Sequence, residues 1–370
     1  MRVMAAAAGA LLLVALASAS NQSAFAQSGA PRPSAGKPNR AAAPAEKTPG
    51  TKVPGTKVPG EKTASAAPAG PPLDLAYGAF QRGYFITAFS LATDRVTNGA
   101  DPKAMTLLGE LYADGLGVPQ DDRRAAQWYG LAAARGDSNA MFALAMFALN
   151  GRGAPRDREA STRWLTAAAK LGHPLAAYDL ALLYIEGQMF PQDFGRAAEL
   201  LRIAAQGGSA DAQYALGTFY KTGRGVPQDA QQAAQWLAKA ALADNTDAQV
   251  EYGIALYNGN GVERNEEAAT ALFRKAAMRG SAIAQDRLAR ILASGRGAPR
   301  DLAEATKWYL VSRAGGETDL ELNNVVDKLD PQTRAAGEKA AKPWLDAIEA
   351  ARKAQPTAQQ AQPQATPAKR

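Results

Sequence analysis

The chain has 370 residues, with 42 Lys and Arg against 35 Asp and Glu, one His, no Cys and a net charge of +7. Without Cys there is no disulfide, thiolate nucleophile, Fe–S cluster or Cys-bound zinc, and one imidazole excludes any site that needs two or three. Length alone would suggest two or three domains, but internal repetition overrides that prior.

Residues 1–26 read as a secretory signal peptide. Arg2 supplies the positive start, Ala5 to Ala17 is an apolar run, and Ala24-Phe25-Ala26 places small residues where signal peptidase needs them. Cleavage is expected after Ala26, with Ala17-Ser18-Ala19 as a second site. No Cys follows to carry a lipid, and no later run is long enough to span a bilayer. The expected address is the periplasm of a bacterium.

Residues 27–71 are a Pro-, Ala- and Lys-rich spacer in which Thr51-Lys52-Val53-Pro54-Gly55 repeats at once as Thr56-Lys57-Val58-Pro59-Gly60. Such a segment buries too little apolar surface to offset its ordering entropy, so it is expected to be disordered. Residues 354–370, rich in Gln, Pro and Ala, are expected to be a second disordered tail. The spacer carries net +5, and Arg2 with the tail adds +3, which leaves the body near −1. The body therefore lacks the basic footprint of a nucleic-acid binder. Weak contact of the spacer with anionic envelope surfaces is expected at most.

From Asp101 to Gly316 the sequence repeats with a period of 36, in six copies without insertion, starting at Asp101, Asp137, His173, Ser209, Asn245 and Ser281. Place four of each copy is Ala, and place fifteen is Gly. Place seventeen is Gly except at Met189, place twenty-one is Asp or Asn, and place twenty-eight is Trp or Leu. Apolar residues at places four, eight, eleven and twelve mark a first helix, here called A, with 3.6-residue periodicity. The Gly pair stops it. Asp or Asn at place twenty-one then caps a second helix, B, for roughly 1 kcal/mol each. Trp236, at place twenty-eight of the fourth copy, is expected in the core. Residues 72–100 and 317–353 read as degenerate helical caps at either end of the array, the last helix starting near Asp330-Pro331.

The pattern resembles the Sel1-like repeat, a relative of the tetratricopeptide repeat. The fourth copy carries it most fully in Ala212, Leu216, Gly217, Tyr220, Gly223, Gly225, Val226, Asp229, Ala233, Trp236, Ala240 and Ala241. The resemblance implies an all-α fold, an α/α superhelical solenoid in which helix A lines the concave face. For an exported member it implies a non-catalytic scaffold or regulator that binds a protein partner.

Two fragments suggest chemistry instead. Ser34-Ala35-Gly36-Lys37 and Lys221-Thr222-Gly223 match motifs of penicillin-recognising enzymes, and a secreted, cysteine-rich branch of the family is credited with β-lactam hydrolysis. The first fragment lies in the spacer, the second is an ordinary helix-A terminus, no S-D-N follows, and the branch's paired cysteines are absent. An envelope hydrolase, β-lactamase-like or glycan-cleaving, and a glycan-binding module stand as alternatives. His173 is expected to be a solvated turn residue. The repeated Asp cannot converge on a metal, and no cofactor is expected.

The remaining candidate is a surface. Opposite the core face of helix A, places six, ten and thirteen of the four central copies are apolar or aromatic except at Thr218 and Lys221. Phe142, Met146, Tyr178, Leu182, Ile185, Tyr214, Thr218, Ile254 and Tyr257 are the candidate binding residues of a concave groove. Burial of these places by superhelical packing is the competing expectation.

Overall fold

A computed structural model describes residues 74–354; the expected leader and spacer, and the C-terminal tail after Ala354, lie outside them. The described residues form sixteen helices and no strand. The opening pair is α1 (Leu75–Gln81) and α2 (Phe85–Gly99). Six pairs follow: α3 (Pro102–Asp114) with α4 (Asp122–Ala133), α5 (Ser138–Asn150) with α6 (Arg158–Lys170), and α7 (Pro174–Glu186) with α8 (Phe194–Gln206). Then come α9 (Ala210–Thr222) with α10 (Ala230–Leu242), α11 (Thr246–Asn258) with α12 (Glu266–Met278), and α13 (Ala282–Ser294) with α14 (Leu302–Ala314). The chain closes on α15 (Leu320–Asp327) and α16 (Pro331–Ala354). Helices α1 to α14 each pack on their neighbours in chain order, α15 lies against α13 and α14, and α16 packs back on α14.

The helix boundaries follow from capping. Asp121, Asp157, Asp193, Asp229, Asn265 and Asp301 each accept a backbone N–H in the first turn of a B helix. Gly259 ends α11 with φ +77°, left-handed geometry that satisfies a terminal carbonyl. Asp244 closes the fourth copy where the others have Gly. It holds φ +65° while its carboxylate takes Lys275 Nζ at 2.5 Å and Arg279 at 3.1 Å.

Inside each pair, place nine is small and place twenty-nine is large. A Cβ on Gly109 would stand 2.5 Å from the Tyr129 ring, and one on Gly253 would stand 2.9 Å from the Phe273 ring. The A and B backbones approach across this contact, so place twenty-nine is the core anchor: Tyr129, Leu165, Leu201, Leu237, Phe273 and Tyr309 are all buried. The expected core placement of Trp236 is thereby corrected. Its ring is half-buried, with Lys239 Nζ 4.0 Å above it, while the adjacent Leu237 is 2% exposed. At place twenty-eight Trp128 and Trp164 are likewise partly exposed, whereas Leu200 and Trp308 are buried. Trp308 is 2% exposed because Trp344 of α16 packs on it at 5.3 Å.

Successive pairs are stitched by repeated polar contacts. Gln213, Gln249 and Gln285 occupy one place in the last three copies. Each donates through Nε2 to a carbonyl near the end of the preceding B helix, at 3.1, 3.2 and 3.1 Å. Arg152 reaches back to Asp122 at 2.7 Å, and Arg296 to Glu266 at 3.2 Å. These contacts hold each pair's orientation to the next and so make the A-helix face a continuous surface.

Candidate interaction face

The A helices stand side by side. Lys221 at the end of α9 pairs with Glu251 of α11 at 2.5 Å, and Asn245 at the head of α11 donates to Asp211 of α9 at 2.9 Å. Lys221 is thus an inter-repeat ion-pair partner, and Gly223 beside it is a helix stop, which is the structural role expected for Lys221-Thr222-Gly223.

The structure places the nine candidate residues between the two expectations. Phe142, Met146, Leu182, Ile185, Tyr214, Thr218, Ile254 and Tyr257 are partly exposed. Tyr178 is 8% exposed, and Val250, at its place two copies on, is 5% exposed. The stripe is therefore a shallow apolar lane, sunk deepest at place six of the third and fifth copies, Tyr178 and Val250. Ile254 and Tyr257 also line a cleft of about 460 Å³ at its C-terminal end.

The sole imidazole belongs to this lane. His173 is buried, not solvated: it caps α7 by accepting the Ala176 N–H on Nδ1 at 3.1 Å, and its ring stacks on Phe142 at 4.7 Å. The cap position hides the ring because α5 lies against it. Burial lowers its pKa, opposed by Asp137, so the neutral imidazole that the cap requires is favoured.

Carboxylates frame the lane. The six A helices carry eight acidic and four basic residues, whereas the six B helices carry twelve basic and six acidic. Burial raises Asp179 to about 6. Glu110 of α3 is pushed up to about 7 by burial first and by Asp114 and Asp137 second. A group raised in the fold stabilises it below the unfolded pKa, and that stability fades as pH climbs through the folded one. Between pH 4.5 and about 7 the burial of Glu110 therefore becomes unfavourable. Glu110→Gln should stabilise the protein at pH 8 by roughly 2–3 kcal/mol and leave it unchanged near pH 4. Urea unfolding at the two pH values checks this, and equal effects at both would contradict it.

Among the described residues no group of acidic or His side chains is placed to hold a metal, and no helix is long and apolar enough to cross a membrane. Sequence reasoning missed the cleft, the raised carboxylates and the buried anchor at place twenty-nine. The anchor left a signal, the alternation of small place nine with large place twenty-nine. The carboxylates left none, because their burial depends on neighbouring copies.

Consecutive antiparallel helix pairs in fixed register, each covering the last, define an α/α solenoid built for a surface rather than a pocket. The Sel1 repeat model matches residues 102–137, 138–173, 174–209, 210–245, 246–281 and 282–315, and the chain belongs to the Sel1 repeat family. Such proteins are generally protein-interaction scaffolds and are typically non-enzymatic. One solved relative is c5321, a protective antigen present in uropathogenic Escherichia coli strains that displays an SLR fold. It is 26% identical with a TM-score of 0.55, over 69% of this chain and 56% of that one. The chain thus spans little more than half of the antigen's length. A Sel1 repeat protein from Oxalobacter formigenes is 24% identical with a TM-score of 0.51, over 66% of this chain and 96% of that one, and agrees in fold. A search of curated proteins gave no match.

Proposed function

We propose that this protein is an exported, non-catalytic scaffold of the bacterial periplasm that holds a partner protein's segment along the concave face of its A helices. The observation that supports it is the lane itself. Seven apolar or aromatic side chains drawn from four consecutive repeats, Phe142, Met146, Leu182, Ile185, Tyr214, Ile254 and Tyr257, stay partly exposed along it. A monomer gains nothing from presenting them in line. The surplus of carboxylates on the same helices favours a partner segment that is amphipathic and basic, docked by apolar anchors and steered by charge.

The test is capture from envelope extract. The mature protein is run beside a variant carrying Met146→Lys, Leu182→Lys and Ile254→Lys, with Tyr178 left intact because it is buried. A protein retained by the first and lost by the second, with both still helical, supports the lane. Equal capture by both removes it.

A further inference from the structure

The lane does not run on past the sixth repeat. It ends in the cleft of about 460 Å³, whose apolar walls are Ile254, Tyr257, Phe273, Ile291, Leu322 and Val325. Leu322 and Val325 belong to α15, which closes the end of the face like a stop.

The rim is charged opposite to the rest of the face. Arg287, Arg290 and Arg296 line the cleft, against Glu321 as its one lining carboxylate. Two of the arginines are engaged. Arg296 pairs with Glu266 at 3.2 Å, while Arg290 is held at 2.6 Å by Asp319, the residue that caps α15. Arg287 makes no hydrogen bond or ion pair among the described residues, and Asp286, which feels its charge, is taken by Arg290 at 3.3 Å. An unpaired guanidinium at the mouth of an apolar cleft suits a carboxylate joined to an apolar body. The volume falls in the range of small-ligand sites.

We propose that the cleft binds the C-terminus of the partner segment, with its last apolar side chain inside and its free carboxylate on Arg287. This rests on the interaction reading above and adds the polarity of the bound segment. Its C-terminal end lies at repeat six, and its basic residues lie over the carboxylates of the central repeats. A peptide is favoured over a free fatty acid because the cleft is continuous with the lane through Ile254 and Tyr257.

The test uses the mature protein and two N-acetylated peptides of the sequence Gly-Lys-Gly-Leu-Phe, one with a free carboxylate and one amidated. Binding is followed by saturation-transfer NMR, with octanoate as a third probe. The free acid should bind about tenfold more tightly than the amide, and Arg287→Ala should abolish that difference without changing the melting curve. Arg123→Ala, on a B helix, should leave it intact. Equal binding of acid and amide, an unaltered preference in Arg287→Ala, no saturable binding up to roughly 10 mM, or preference for octanoate would each overturn the proposal. Absence of an acid preference in the unsubstituted mature protein, with the partner still captured, would sink this inference alone. Loss of capture sensitivity in the lane variant would sink the interaction reading.

Discussion

Gly261→Ala is expected to lower the free energy of unfolding by about 3–5 kcal/mol, the sum of a left-handed Ala and a backbone overlap. Gly261 has φ +70°, and a Cβ there would lie 2.0 Å from the Ala230 carbonyl oxygen and 2.8 Å from the Gln231 nitrogen. Both atoms belong to the start of α10, the B helix of the preceding repeat, so the overlap is with backbone and no rotamer change relieves it. Repeat five would have to move off repeat four. Gly280→Ala is the internal control. It has φ +90° with nothing within 4 Å of the added carbon, so it should cost only the conformational part, about 1–2 kcal/mol. Urea unfolding of the two variants measures the difference, and equal losses would show that the two repeats separate freely. The Arg152–Asp122 and Arg296–Glu266 contacts bring the same loop to the preceding B helix in copies two and six. In copy three Met189 stands at this place, 37% exposed and without a left-handed φ, so the junction of repeats two and three is built differently.

Trp308→Ala is expected to cost about 3–5 kcal/mol, the range for deleting a large buried aromatic. The ring is 2% exposed and packs on Trp344 at 5.3 Å. Its indole N–H donates to Glu304 at 3.2 Å, and Lys307 Nζ sits 4.0 Å above it. Removing it opens a cavity where α16 seals the end of the array. Trp236→Ala should cost about half as much or less, since that ring is already partly in water and its neighbour Leu237 fills the seam. Comparing the two midpoints tests whether the repeat's Trp is core in itself or only under a cap. A larger loss at Trp236 would reverse that assignment.

The candidate face was half legible in the residues. Places six, ten and thirteen stood out because Leu182, Ile185 and Ile254 are apolar where a solvated helix surface would be polar. Their depth could not be read, because it is set by neighbouring helices: Phe142 is stacked on His173 of the next copy. His173 looked like a turn residue because its place in the copy is usually a small polar cap. Its imidazole fills that role through Nδ1, and the stacking partner 31 residues earlier is invisible to local pattern.

What the sequence determined by itself is local and periodic. Helix starts follow from side-chain caps such as Asp229, stops follow from glycines such as Gly259, and a constant period of 36 fixes the register of pair on pair, hence the solenoid. These are contacts within one turn or one repeat, written in residue types at fixed spacing. What only the tertiary structure decided is whatever depends on two repeats or a cap meeting. The raised pKa of Glu110, the exposure of Trp236 against the burial of Trp308, and the cleft under α15 with its unpaired Arg287 all arise there. Desolvation and enclosure are properties of the space between elements, and that space takes its shape only when the elements stack.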